Sequence, residues 1–199
     1  LQALDEKLNI REIPYDGKKM DYKKDKSSFS IVKDPNKCIM CRRCETMCNE
    51  VQTCGILSGI DRGFDVVVGP TFNLDMKDTA CTYCGQCVAV CPTAALTETN
   101  KTSKVWDALA DPEKHVIIQT APAIRAAIGE EFGMEPGTLV TGKMVSALKN
   151  LGFDGVFDTD FAADLTIMEE ASELVHRIEN DGTLPILTSC CPAWVKFIE

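Results

Sequence analysis

The hydrophobic pattern of the chain changes near residue 100. Before that point, apolar residues form short runs bounded by turn residues, and these predict strands at Phe29–Val32, Gly55–Ile60, Asp65–Val68 and Leu96–Thr99. Between them the sequence predicts two short helices, Cys44–Val51 and Cys87–Val90. The strands and helices form two β-α-β halves, which indicates a small domain with an internal repeat.

After residue 100, longer amphipathic segments alternate with short apolar runs. The pattern predicts strands at Val116–Gln119, Gly155–Asp158 and Pro185–Thr188, and helices at Ala121–Phe132, Lys143–Leu151 and Asp164–Asn180. Strands separated by helices predict a parallel sheet with its functional loops at the C-terminal ends of the strands. Three motifs lie at such ends, namely Thr120-Ala121-Pro122, Asp158-Thr159-Asp160 and Thr188-Ser189-Cys190-Cys191-Pro192.

We therefore predict three segments in an α+β chain. Residues 1–29 are the end of a helix, Leu1–Leu8, followed by a polar linker. Residues 30–100 form the repeated domain, and residues 101–199 form part of an α/β domain. The chain starts at Leu1 rather than Met and stops at Glu199 soon after a motif, so we expect it to be part of a longer polypeptide.

Charge and cysteine content narrow the class of protein. The chain has 21 Lys and Arg residues against 30 Asp and Glu, a net charge of −9, which argues against nucleic acid and anionic membrane surfaces as partners. No apolar run in the sequence reaches the length of a membrane span. Eleven cysteines in an acidic chain without a secretion signal indicate a reducing, cytoplasmic compartment and metal binding.

Eight of the cysteines form two runs with the same spacing. Cys38–Cys48 and Cys81–Cys91 each follow C-x2-C-x2-C-x3-C, the spacing of bacterial ferredoxins with two clusters. Three closely spaced thiolates can bind three irons of one [4Fe–4S] cube, and the fourth cysteine starts a helix and binds the other cube. The predicted ligands are Cys38, Cys41, Cys44 and Cys91 for the first cluster, and Cys81, Cys84, Cys87 and Cys48 for the second.

Other uses of these cysteines fit the sequence less well. A disulfide framework needs an oxidising compartment, and zinc sites prefer two separated C-x2-C pairs. Cys54 lies outside both runs. Because eight cysteines already fill two cubes, we expect Cys54 to be a small buried apolar residue.

A second group of cysteines, Cys190 and Cys191, lies near the end of the chain. Adjacent cysteines do not easily bind the same metal ion, and they match no zinc spacing. Pro192 fits the first turn of a helix, so a thiolate that precedes it would lie at a helix N-terminus. The spacing alone supports a metal or redox role and a buried structural pair about equally.

The segment Thr188–Trp194 resembles the first signature of the [FeFe]-hydrogenase catalytic domain. Upstream segments are similar to the same family, at Thr120–Arg125, Val140–Lys143, Asp164–Glu170 and Glu173–Glu179. The resemblance covers residues 30–199 and includes the two-cluster ferredoxin-like domain. It implies an oxidoreductase whose H-cluster, a [4Fe–4S] cube joined to a diiron unit, converts protons and electrons reversibly to H2.

The resemblance also implies roles for single residues. Cys191 would bind the cubane half of the H-cluster, and Cys190 would be the proton-delivering thiol beside the diiron half. Glu170 and Glu173 would continue the proton path to the surface. Three residues would line the diiron pocket, namely Ala121, Pro122 and Ala123. The family holds the H-cluster with four cysteines, three of them in motifs that this sequence does not contain.

Simpler alternatives remain for both the residues and the chain. Without the resemblance, Glu170 and Glu173 would be assigned to a helix surface, with Arg177 at i, i+4 from Glu173. The chain could be an electron-transfer module without hydrogenase activity, or a relative that serves iron–sulfur assembly or sensing. For a hydrogenase, the resemblance implies a multi-subunit complex with redox partners, either a ferredoxin or flavin and iron–sulfur subunits that use NADH.

Overall fold

The structure of the chain, a computed structural model, describes residues 2–12 and 14–199. Leu1 of the predicted helix end and Ile13 of the predicted linker lie outside the described residues. The chain divides into two compact units, one containing the residues up to Asn100 together with Thr188–Glu199, the other Lys101–Leu187. The last twelve residues therefore belong to the first unit here, and the domain limits drawn from the sequence stay a prediction.

The first unit contains two antiparallel strand pairs and short helices. β1 (Ile31–Lys33) pairs with β4 (Leu96–Glu98), and β2 (Ser58–Ile60) pairs with β3 (Val67–Gly69). The helices are α1 (Gln2–Leu8), α2 (Arg43–Thr46), α3 (Gln86–Ala89) and α8 (Pro192–Ile198). A π-helical turn, Met47–Val51, continues α2. Because β1 begins the repeated domain and β4 ends it, their pairing closes this domain.

The core of the first unit is small and includes cysteines. Its apolar members are Ile31, Leu57, Val68, Met76 and Leu96, and the buried Cys44 and Cys87 pack among them. Other cysteines of both runs pack against this core while remaining half-buried. A core with so few large apolar side chains leaves part of the stability of the domain to whatever the cysteines bind.

Residues 18–28 of the predicted linker are attached to the first unit, and we call this segment the N-terminal strap. Lys18 forms an ion pair of 2.9 Å with Asp65. The carboxylate of Asp25 accepts a hydrogen bond of 2.9 Å from the backbone amide of Met76. The strap therefore joins parts of the domain that are distant in sequence.

The second unit contains a two-stranded parallel sheet, which confirms the predicted sheet type. β5 (Ile117–Thr120) pairs with β6 (Gly155–Asp158), with Thr120 opposite Asp158 at their carboxyl ends. The helices are α4 (Thr102–Leu109), α5 (Ile124–Ala127), α6 (Thr141–Asn150) and α7 (Thr159–Glu179). This register brings the loops that follow the two strands to the same edge of the sheet.

The helix predicted at Ala121–Phe132 is interrupted. After α5, the chain turns at Gly129 and forms only a 3-10 turn at Glu130–Phe132. The carbonyl of Gly129 accepts a hydrogen bond from the Met134 amide, and a Cβ at Gly129 would meet the side chains of Met134 and Val140 at 3.4 Å. The chain thus folds back on Gly129 instead of continuing as a helix.

The strand predicted at Pro185–Thr188 is wrong, since no strand of the described residues pairs with it and Pro185 has no amide hydrogen to donate. Helix α7 also begins earlier than the predicted Asp164. Its first turn is capped by Asp158, whose carboxylate accepts the amide hydrogen of Asp160 at 3.0 Å. In the part of the chain that the structure describes, no helix is both long and apolar enough to cross a membrane.

Candidate metal centres

The two cysteine loops have the same backbone conformation. The residues on either side of each middle cysteine have left-handed torsion angles, with φ of 57° at Met40 and Arg42 in the first loop. In the second loop, φ is 58° at Tyr83 and 76° at Gly85. Left-handed angles are unfavourable for side chains other than glycine, and they cluster at binding sites. They curl each loop so that its third cysteine lies in the first turn of α2 or α3.

The thiols gather into two groups, each containing members of both runs. The pKa of Cys44 is raised to about 11, mainly by burial. Three further thiols are close enough to raise it too, those of Cys38, Cys91 and Cys41. The pKa of Cys87 is raised to about 12, again mainly by burial, and four thiols add to this, those of Cys81, Cys84, Cys44 and Cys48. These neighbours correspond to the two ligand sets predicted from the spacing, with Cys44 near both sets.

Two cavities lie beside the thiol groups. The walls of the first include Cys48, Cys81, Cys84 and Cys87. The second is more open and has Cys41 and Cys91 in its walls. The walls of each cavity thus include cysteines of both runs, as a cluster with ligands from both runs requires.

Single ions and four-iron clusters place different demands on the spacing of their ligands. Within residues 2–12 and 14–199, no three His, Cys, Asp or Glu side chains are grouped closely enough to hold one metal ion. The ligands of a four-iron cube each bind a different iron, so they stand farther apart than the ligands of one ion. Bound iron would supply the positive charge that keeps these thiols deprotonated in spite of their burial.

Backbone amides point at two of the candidate sulfur ligands. The amide of Met40 donates to the sulfur of Cys38, and the amide of Ile56 donates to the sulfur of Cys48, both at 3.4 Å. Such hydrogen bonds stabilise negative charge on a thiolate and help to set the reduction potential of a bound cluster.

Cys54 lies in the wall of the first cavity and is half-buried. Its sulfur is 3.5 Å from the hydroxyl oxygen of the buried Thr82. The prediction of a small buried residue is therefore only partly met, and Cys54 lies beside the second thiol group.

The carboxyl ends of β5 and β6 are joined by side chains whose role the sequence did not indicate. The guanidinium of Arg125 contacts Asp158 at 2.6 Å and Asp160 at 3.2 Å. The hydroxyl of Thr159 donates to the carbonyl of Thr120 at 2.6 Å. The position of Asp158 and Asp160 at a strand end was a usable signal, but nothing in the sequence identified Arg125 as their partner.

The three residues predicted to line a diiron pocket, Ala121, Pro122 and Ala123, form the exposed turn between β5 and α5. The carbonyl of Pro122 accepts a hydrogen bond of 3.1 Å from Arg125. Because Arg125 also holds the end of β6, this turn is fixed to the edge of the sheet.

The two glutamates of the predicted proton path lie on α7. Glu173 is exposed and forms an ion pair of 2.6 Å with Arg177, and this hydrogen bond lowers the pKa of the Glu173 carboxyl. Glu170 is half-buried. The pair between Glu173 and Arg177 is the contact that the surface interpretation expects, so the proton path stays a proposal.

Cys190 and Cys191 are exposed thiols at the start of α8, in the first unit. The amide of Cys191 donates to the hydroxyl of Ser189 at 3.1 Å. The glutamates and the turn at residues 121–123 belong to the second unit. The residues that the resemblance connects to the H-cluster are thus divided between the two units.

Two cysteine loops whose thiols gather into two groups, with a small core built around them, define an iron–sulfur protein of the two-cluster ferredoxin class. Comparison with known proteins gives the family. Residues 78–97 match the 4Fe-4S binding domain, and residues 114–199 match the iron only hydrogenase large subunit, C-terminal domain.

The chain belongs to the [FeFe]-hydrogenase large-subunit family, which confirms the resemblance and the expected [4Fe–4S] cofactors. The NADP-reducing hydrogenase subunit HndD of Solidesulfovibrio fructosivorans is 62% identical over 100% of this chain and 35% of its own length. Iron hydrogenase 1 of Clostridium pasteurianum is 46% identical over 88% of this chain and 30% of its own length. A solved [FeFe]-hydrogenase from Chlamydomonas reinhardtii is 48% identical over 47% of this chain and 25% of that chain, with a TM-score of 0.41. The chain spans about a third of the length of the curated relatives that it matches.

Proposed function

We propose that the chain passes electrons through two [4Fe–4S] clusters to an H-cluster in the full-length polypeptide, where 2H+ + 2e− ⇌ H2 takes place. The grouping of eight thiols into two neighbouring sets is the observation that carries the proposal. Each cluster carries one electron at a time, so two transfers balance the formation of one H2. Iron–sulfur clusters reach the strongly negative potentials that this reaction needs.

Other residues of the chain would contact the H-cluster. When bound, this cluster supplies the metals at which H2 is formed or cleaved. Cys191 would hold its cubane half, and residues 121–123 would line its diiron pocket. Cys190 would carry a proton that passes on through Glu170 and Glu173. Because Arg177 holds the Glu173 carboxyl in its ionised form, proton transfer through Glu173 requires this ion pair to open.

We further propose redox partner subunits and a cytoplasmic location. The relative HndD is named as a subunit of an NADP-reducing enzyme. This name supports a complex with flavin and iron–sulfur subunits that use NADP, rather than the NADH expected from the sequence. A ferredoxin is the other partner that we propose. None of the eleven cysteines forms a disulfide, and a reducing compartment keeps cysteines in that state.

The direct test is anaerobic H2 evolution from reduced methyl viologen by the full-length polypeptide carrying all its clusters. Cys190→Ala should abolish turnover while the iron content stays unchanged, because a proton-carrying thiol is not a metal ligand. Loss of iron in this variant would contradict the role of Cys190. A wild-type protein with its full iron content and no H2 evolution would overturn the enzymatic function.

A pair of variants on α7 tests the proton path. Glu173→Gln should slow turnover by about a hundredfold, the size expected when a proton-transfer group is lost. Arg177→Gln breaks the same ion pair but keeps the carboxylate, so it should leave turnover near the wild-type rate. Equal losses in both variants would assign Glu173 to the stability of the helix.

The second candidate function is an electron-transfer module without hydrogenase activity. The surface ion pair between Glu173 and Arg177 and the exposure of Cys190 and Cys191 favour it. A chain that binds about eight irons and transfers electrons, but gives no H2 after maturation of the full-length polypeptide, would support this alternative.

A further inference from the structure

Helix α8 places a cation on the second cysteine loop. The ammonium nitrogen of Lys196 lies 4.4 Å from the centre of the Tyr83 ring, a distance at which a cation is attracted to the ring face. The Tyr83 ring also meets the Phe29 ring edge to face, with 6.4 Å between centres. Tyr83 lies between Cys81 and Cys84 in the loop, so the contact attaches α8 directly beside the second thiol group.

The charge of Lys196 matters because the second loop has none of its own. Residues 79–97 contain no Asp, Glu, Lys or Arg, whereas the first run contains Arg42, Arg43 and Glu45. Burial raises the pKa of Cys81, and the positive charge of Lys196 acts against this increase. The electrostatic effect of Lys196 therefore reaches a candidate ligand of the second cluster.

The charge of Lys196 is also not cancelled by a neighbouring carboxylate. None of the ion pairs formed among residues 2–12 and 14–199 includes Lys196. In the first loop, by contrast, Arg42 lies 3.8 Å from Glu45. Lys196 thus presents an uncompensated positive charge to the second loop, whereas Arg42, Arg43 and Glu45 already give the first run a net charge of +1.

We propose that Lys196 is a positioning residue for electron transfer, which holds α8 on the second loop and stabilises the reduced form of the second cluster. The inference rests on the two clusters of the proposed function and adds the contribution of one side chain to the electron transfer between them. One electron leaves the first cluster, which is oxidised from the 1+ to the 2+ state, and reduces the second from 2+ to 1+. The electron adds negative charge to the second cluster, and a nearby cation stabilises it. The charge of Lys196 therefore favours an electron at the loop that contacts α8, the helix that begins next to Cys191.

A redox titration followed by electron paramagnetic resonance tests the proposal on the full chain loaded anaerobically with its clusters. The ratio of reduced to oxidised second cluster is compared at the potential where this cluster is half reduced in the wild type. Lys196→Met should lower this ratio about threefold or more, and it should change the same ratio at the first cluster less. The signals are assigned with variants that lose one cluster. Lys196→Arg keeps the charge and the ring contact, and it should behave like the wild type.

An unchanged ratio in Lys196→Met, or an equal change in both clusters, would overturn the proposal. If Lys196→Met loses iron, the wild-type protein still provides a test. Lys196 is exposed, so added salt should lower the ratio at the second cluster, and a ratio that does not depend on salt would overturn the inference. A protein that shows the shift without evolving H2 would overturn the proposed activity alone, whereas an H2-evolving protein without the shift would overturn only the role of Lys196.

Discussion

Replacing both Cys81 and Cys87 with serine removes two of the four thiols of the second group. In the arrangement of the structure, the first group keeps all of its members, since Cys91 lies near Cys44. A chain with two four-iron clusters binds about eight irons, so this double variant should bind about four.

A third substitution in this double variant distinguishes shared ligands from separate ones. Adding Cys48→Ser removes another thiol of the second group, so the iron content should stay at about four. Adding Cys91→Ser leaves the first group with three thiols, so the remaining cluster should lose iron. If each run filled its own cluster, the two triple variants would exchange their results.

The measurements are iron per chain and the electron paramagnetic resonance signal of the dithionite-reduced protein, all prepared without oxygen. The double variant serves as the control and must itself retain about four irons. Far-ultraviolet circular dichroism checks that all variants keep the same helix content. Retention of the cluster in the variant lacking Cys91, with its loss in the variant lacking Cys48, would refute the sharing of ligands.

Two other predictions concern the stability of the two units. Leu57 is 2% exposed, so Leu57→Ala should reduce the free energy of unfolding by about 2–5 kcal/mol in an anaerobic denaturant titration. Leu8→Ala, at a residue 60% exposed, should change it by less than about 0.5 kcal/mol, and equal losses would contradict the described core. The hydrogen bond from Arg125 lowers the pKa of Asp158. The ionised carboxylate therefore stabilises the second unit fully at a pH above the pKa of Asp158 in the unfolded chain. This stabilisation is lost as the pH falls through the pKa of Asp158 in the folded chain. Asp158→Asn should therefore reduce the hydrogen-exchange protection of β5 at pH 7. The difference in protection between this variant and the wild type should narrow below about pH 4. A difference that does not depend on pH would rule out the ion pair as its cause.

Much of the fold could be predicted because its signals are local. The cysteine spacing identifies both loops, and the repeat of strands and helices indicates the domain around them. The strand at Gly155–Asp158 has the bounds that the sequence predicts, since it is a short apolar run between two turn-forming residues. The parallel sheet follows from the alternation of strands and helices alone.

The features that could not be predicted depend on contacts between distant residues. The strap of residues 18–28 is rich in Lys and Asp and has the composition of a solvated linker, but Asp25 finds its partner at the Met76 amide. Periodicity extends the helix after β5 through Gly129, because it carries no information about the later packing of Met134. The contact between Lys196 and Tyr83 likewise joins two segments that no sequence pattern connects.

The proximity of Cys44 to Cys91 has a consequence for biosynthesis. A chain emerging from the ribosome presents the whole first run well before Cys91 is made, so neither thiol group can be completed until the second run has left the exit tunnel. Two separate loops would allow iron insertion in sequence along the nascent chain. Ligands shared in the predicted way would make loading a late event that involves both runs at once, and a chain stopped before Cys91 would carry exposed, unfilled thiols.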